Sequence, residues 1–131
     1  LLDDTILNNI TFSQNNEPIN EKKLNEAIDI ACLKEFVENS ELKLQTIVGE
    51  RGSKISGGEL QRICIARAMY RESEILILDE FTSALDEKTE KKIIENIFKL
   101  KKTIIISSHR VSTLKYCDHI YEISNNQLNK I

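Results

Sequence analysis

The sequence predicts an α/β fold whose later half carries parallel strands and whose first half is mainly helical. Three observations lead there. Ile75-Leu76-Ile77-Leu78 is an unbroken apolar run ending in Asp79-Glu80, and Thr103-Ile104-Ile105-Ile106-Ser107 is a second, ending in Ser108-His109. Between them, about Glu87 to Leu100 has helical spacing, with Ile93, Ile94, Ile97 and Phe98 for the core. Unbroken apolar runs read as strands buried on both faces, and strand, helix, strand makes a βαβ unit with a parallel sheet.

The remaining elements follow in chain order. Asn20 to about Asn39 reads as helix, with Asn20 as N-cap and Leu24, Ala27, Ile28 and Ala31 on one face; a short second piece carries Leu33, Phe36 and Val37. Glu59 to Tyr70 is helical again and turns Leu60, Ile63, Cys64 and Met69 inward. A short helix is expected around Val111 to Tyr116, then an apolar stretch from Ile120 to Ile123. The turn Asn125-Asn126 then folds Leu128 to Ile131 back as a small hairpin. No repeat or low-complexity segment interrupts this order.

The chain has 131 residues, enough for one domain with a real core and too few for two. With 40% apolar and 30% charged residues its composition is that of an ordinary globular domain. A net charge of -3 and scattered Lys and Arg argue against a nucleic-acid binder working through a broad basic face. Cys32, Cys64 and Cys117 are far apart and odd in number, with no metal-ligand spacing, and read as small buried hydrophobes of a reduced protein. No stretch approaches the length that spans a bilayer. The chain opens at Leu1 rather than Met, and is expected to be a piece of something longer.

Glycines are few, and Gly49, Gly52, Gly57 and Gly58 gather in one region, where the backbone needs freedom. Ser56 before the two adjacent glycines can cap the following helix. The same three residues can leave backbone N–H groups open to an anion at a helix start, where the dipole favours negative charge. In parallel sheets, ligands gather beyond the carboxyl ends of the strands. Asp79, Glu80 and His109 should therefore face one crevice. There an aspartate can hold Mg²⁺ through its water shell, a glutamate can orient or deprotonate a water, and a histidine can hydrogen-bond a phosphoryl group. Each residue also has a plain structural reading: Asp79-Glu80 as a solvent-facing pair, His109 as a strand-end residue, Asp86 as an N-cap.

Order and spacing separate the readings. "ISGGELQR", "ILILDE", "TSALD" and a histidine after the next strand together resemble the ATPase domain of ABC transporters over essentially the whole chain. Ile55 to Glu59 resembles the signature motif, Ile75 to Asp79 the Walker B strand with Glu80 in the catalytic glutamate's place, and Ser83 to Asp86 the D-loop. His109 falls at the switch histidine. "TIVGERG", from Thr46 to Gly52, is similar to the exporter segment that touches the transmembrane domains. "LLDDTILNNITF", from Leu1 to Phe12, looks like the stretch after the Q-loop in exporters with fused permease and ATPase.

The resemblance implies a P-loop NTPase-like fold: a helical signature subdomain over residues 1–70, the later part of a RecA-like core over 71–131, and a C-terminal hairpin. It implies ATP and Mg²⁺ as ligands, with Asp79 on the metal, Glu80 and His109 catalytic in one site, and Ser56, Gly57, Gly58, Glu59 and Asp86 at the nucleotide of a second, head-to-tail ATPase domain. Glu50 and Arg51 would relay closure to transmembrane domains, with the ATPase on the cytoplasmic face of a membrane, the bacterial inner membrane among them. Two departures stand out. Glu59 replaces the family's usual glutamine and places a carboxylate near a triphosphate. No G-x-x-x-x-G-K-[ST] occurs, so the phosphate-cradling loop would lie before Leu1 and the isolated piece would be inactive and prone to self-association. A non-catalytic docking module and the chromosome-maintenance branch of the superfamily are the rivals; the latter needs heptad arms, and no heptad run appears.

Overall fold

The computed structural model describes residues 1–12 and 18–131. Its first element is a helix that the sequence pattern did not single out, α1 (Ile6–Thr11), capped by Thr5, whose side chain accepts from Asn8 N–H. Ile6 and Ile10, one turn apart, are fully buried. Asn9 between them is fully buried too and fully used. Its Oδ1 accepts from Leu2 N–H at 2.9 Å and its Nδ2 donates to the Thr5 carbonyl at 3.0 Å. Thr46 and Val48 close this end of the chain: Ile6 N–H donates to the Thr46 carbonyl, Val48 N–H donates to that of Asp4, and Thr5 bridges Ile47.

Helix α2 (Glu21–Ile30) starts where expected, with the Asn20 side chain accepting from Lys23 N–H at 3.1 Å. It stops earlier than the pattern suggests, because Cys32 adopts a left-handed φ of 53° before α3 (Lys34–Asn39) begins. Two short 3₁₀ turns follow, Lys43–Gln45 and Glu50–Gly52. Helix α4 (Gly57–Tyr70) begins two residues before the expected Glu59 and packs against both α1 and α2. Ile63 and Met69 are buried as expected and Leu60 is half-buried, whereas Cys64 is exposed. One residue is a 100° step around a helix, which carries Cys64 off the stripe of Ile63 and Ala66.

Strand β1 (Ile75–Asp79), helix α5 (Glu87–Phe98) and strand β2 (Thr103–Ser107) form the βαβ unit, parallel and in register from Ile75 with Thr103 to Asp79 with Ser107. The expectation that both faces are buried does not hold among the described residues. Leu76 and Leu78 enter the core with Ile93, Ile94 and Ile97, while Ile77 on the other face is 75% exposed and Ile75 and Ile105 are exposed as well. An unbroken apolar run thus marks two apolar faces, of which these residues cover one. Phe98 is half-buried beside Tyr116, with ring centroids 5.4 Å apart.

One turn of helix, α6 (Val111–Leu114), leads to the hairpin of β3 (Tyr121–Ser124) and β4 (Gln127–Lys130). Asn125 and Asn126 both take positive φ, as a two-residue turn between twisted strands requires. The cysteines depart from the buried reading: Cys64 is exposed, Cys32 and Cys117 are half-buried, and all three are free.

Asn9 gives a clean test of what holds the first helix to α4. Arg67 of α4 donates to the Asn9 carbonyl at 2.6 Å and to Asn9 Oδ1 at 2.9 Å. Asn9→Leu leaves the bond to the main-chain carbonyl in place but removes the Oδ1 acceptor, so the Arg67 Nη2 and Leu2 N–H donors lose their partner. It is expected to lower stability by about 2–4 kcal/mol, read as a shifted denaturant midpoint at unchanged slope.

Candidate functional site

The site residues fall into two groups. The first surrounds the start of α4. Ser56 is its N-cap: Oγ accepts from Glu59 N–H at 3.3 Å, and Glu59 Oε2 accepts from Ser56 N–H at 2.7 Å, a reciprocal capping box. The carboxylate that departs from the signature pattern is therefore folded back on its own helix. Gly57 and Gly58 open the helix and lie against Ala84 and Leu85. A Cβ on Gly58 would press the Ala84 carbonyl at 3.1 Å, so packing favours glycine there. A Cβ on Gly57 would meet only the Ala84 Cβ at an ordinary 3.6 Å. Internal packing does not explain Gly57; a ligand approaching the backbone would.

Ser56, Gly57 and Gly58 line an open depression of about 520 Å³ with Arg62, Asp86 and Thr89. Asp86 caps α5, its side chain accepting from Thr89 N–H at 3.0 Å. Hydrogen bonding from Thr89, first its side chain and then its backbone N–H, holds the Asp86 carboxyl below the ordinary 3.8.

The second group sits at the strand ends and lies outside that depression's lining. Asp79 ends β1 and is exposed. Glu80 follows with φ 41°, its N–H donating to the Ser107 carbonyl at 3.0 Å, which extends the ladder one residue past the strands. His109 Nε2 comes within 3.1 Å of Glu80 Oε1, so the expected pair does meet. No cluster of three or more metal-ligating side chains exists among the described residues. Asp79 offers one exposed carboxylate, an oxygen donor of the kind Mg²⁺ accepts beside water and phosphate.

Glu50 and Arg51 are exposed on the 3₁₀ turn and do not line the depression; they stand beside Gly49, whose φ of 79° suits glycine. Sequence reasoning missed what joins the two groups. Gln61 of α4 spans residues 80–84: Nε2 donates to the Glu80 carbonyl at 3.2 Å and to Ser83 Oγ at 2.8 Å, and Oε1 accepts from Ala84 N–H at 3.0 Å. Glu90, Arg110, Thr82 and Thr113 were missed too. Glu90 carried a signal, since with Ile93, Ile94 and Ile97 it falls on the apolar stripe of α5 and is buried there. Gln61 carried none.

A signature-type helix start beside a parallel βαβ unit with an acidic pair and a histidine at its strand ends defines a P-loop NTPase-like domain. The comparisons specify it further: the chain belongs to the ABC transporter family, whose model matches residues 2–83. It is similar to the ATP-dependent lipid A-core flippase of Pasteurella multocida (strain Pm70), 42% identical over 130 residues, covering 98% of this chain and 22% of the flippase. It is also similar to the lactococcin-G-processing and transport ATP-binding protein LagD of Lactococcus lactis subsp. lactis, 44% identical over 117 residues, covering 88% of this chain and 16% of that protein. Among solved structures, a bacterial Atm1-family ABC exporter with ATP bound superposes with a TM-score of 0.91 at 35% identity, over 98% of this chain and 23% of that one. The chain therefore spans about a fifth of the length of such relatives.

The Asp86 cap generates a pH prediction. Its folded value is depressed, so its contribution is fully present above the unfolded 3.8 and is lost as pH falls through the lower folded value. Denaturant midpoints measured through the acid range should show this component in the wild type. They should lack it in Asp86→Ser, which caps without ionising.

Proposed function

We propose that this chain is part of the ATPase domain of an ABC exporter, in which ATP hydrolysis drives release of a substrate across a membrane. The observation that carries it is the separation of two half-sites on one chain: a glycine helix start in its own depression, and a glutamate–histidine pair at the strand ends. Two half-sites of different chemistry fit a head-to-tail dimer, in which each chain lends its signature surface to the nucleotide held by the other. In this reading residues 1–70 are the signature subdomain and 71–131 the later part of the core.

Bound MgATP supplies the phosphoanhydride, and this chain's residues bind, orient and accept a proton. Asp79 would hold Mg²⁺, which would supply positive charge to the phosphate oxygens. Glu80 orients the attacking water and takes up its proton, and His109 hydrogen-bonds the γ-phosphoryl group. Ser56, Gly57 and Gly58 offer their hydroxyl and backbone N–H groups to the γ-phosphate on the partner chain, with Glu59 held back in its cap. Asp86, in the lining of the depression, helps link the two sites. Glu50 and Arg51 relay closure to transmembrane domains, which places this chain on the cytoplasmic face of a membrane such as the bacterial inner membrane. The matched region is shared by proteins named for lipid A-core and for lactococcin G, which supports an ATPase role common to both; in this reading substrate choice lies with other segments.

In the intact transporter, Glu80→Gln is expected to lower phosphate release by about 10²-fold or more while leaving ATP-driven dimerisation intact; undiminished release would overturn the assignment. These 131 residues by themselves, without G-x-x-x-x-G-K-[ST] and with an open apolar sheet face, are expected to hydrolyse no ATP and to self-associate. Micromolar ATP binding by calorimetry, or a monodisperse monomer in light scattering, would count against the respective half of that expectation.

A further inference from the structure

Glu90 is the buried charge that the reaction scheme leaves unused. Its side chain is 5% exposed and forms an ion pair with Arg110 Nη1. Its Oε1 accepts from Thr82 Oγ1 at 3.1 Å and from Thr113 Oγ1 at 3.3 Å. Both threonines are themselves buried. Arg110 reaches further: Nη2 approaches the Ser83 carbonyl at 3.4 Å, and its backbone N–H donates to Ser108 Oγ at 3.0 Å. One carboxylate thus gathers α5, the loop after β1 and the segment after β2.

We propose that Glu90 and Arg110 are positioning residues that fix His109 relative to the loop from Glu80 to Asp86, so that the histidine of one half-site is set by the segment that borders the other. The inference rests on the ATPase reading above. His109 adjoins Arg110, and its imidazole, 92% exposed, has Glu80 as its charged neighbour. Something other than burial must therefore hold its backbone. The planar guanidinium fork can bind Glu90 and the Ser83 carbonyl together, which a lysine ammonium, a single point charge, does less well. A buried ion pair is a poor device for stability alone, because well-packed apolar residues often do as well. Its four-way hydrogen bonding is a good device for direction. Gln61 holds the opposite side of the same loop through Glu80, Ser83 and Ala84, so the loop is pinned from the signature helix and from the histidine segment at once.

The test is steady-state ATPase kinetics of the intact transporter, beside thermal unfolding and ATP-driven dimerisation. Arg110→Met is expected to lower kcat about 10-fold or more with KM for ATP within about two-fold, because misplacement by a fraction of an ångström slows chemistry more than it weakens binding. Arg110→Lys, which keeps the charge, should recover part of the loss. Glu90→Gln/Arg110→Met should be no slower than Arg110→Met, since the two residues act as a unit. If Arg110→Met does not fold, Glu90→Gln, equal in volume, carries the same comparison. Unchanged kcat, a loss confined to KM, or a multiplicative double-variant loss overturns the positioning role. Glu80→Gln run in parallel separates the failures: turnover that depends on Glu80 but ignores Arg110 overturns this inference alone, and a wild type without Glu80-dependent turnover overturns both.

Discussion

The parallel register between β1 and β2 is the constraint on which the candidate chemistry depends. Pairing Asp79 with Ser107 brings two strands to a common end, and the Glu80 N–H donating to the Ser107 carbonyl carries the pairing one residue beyond. That extra bond places Glu80 within reach of His109. Side chains alternate along a strand, so a slip of one residue would turn Leu76 and Leu78 out of the core and separate the pair. The apolar residues that make the register unambiguous also set the distance between the acid and the imidazole.

Beyond the strand end, the loop from Glu80 to Asp86 serves two masters. Its backbone is held by Gln61 from α4, its Thr82 and Ser83 are held by Glu90 and Arg110, and Asp86 ends it as a helix cap. Ala84 and Leu85 meanwhile form the surface against which Gly57 and Gly58 rest. A movement at either half-site must pass through these residues, because the hydrogen bonds leave the loop little independent freedom. Coupling between sites needs such a shared element with defined contacts on both sides.

Much of this was legible in the residues. The βαβ unit, the Asn20, Ser56 and Asp86 caps and the Asn125-Asn126 hairpin rest on local signals, periodicity, cap chemistry and turn chemistry, and each stands where those signals put it. The meeting of Glu80 with His109 followed from topology. What was not legible depends on partners distant in the chain. Asn9 looks like a polar surface residue until Arg67, 58 positions later, reaches its side chain. Gln61 looks like a solvent-facing glutamine until the loop 19 to 23 residues on folds against it. Cys64 was misplaced because an apolar residue type was allowed to outweigh its angle on the helix. The open face of β1 reflects the limit of an apolar run as a signal, since it states what a face requires and not what supplies it.

Glu59 shows how the two half-sites pull on one residue. Within the chain a carboxylate suits its position, since it accepts from Ser56 N–H and lies at the positive end of α4, where a negative charge is worth about 0.3–1 kcal/mol. A glutamine could make the same hydrogen bond and would forgo that dipole term. In the proposed head-to-tail arrangement, a triphosphate on a partner chain would reverse that preference, because a second negative charge at the helix start would offset part of the attraction of the Gly57 and Gly58 backbone. The capping bond moderates the conflict: it holds the carboxylate against the Ser56 backbone N–H and leaves the Ser56 hydroxyl and the Gly57 face to meet the anion. Under the proposed function, glutamate at this position would thus shift weight from partner binding toward the helix's own stability, with the capping box limiting the cost.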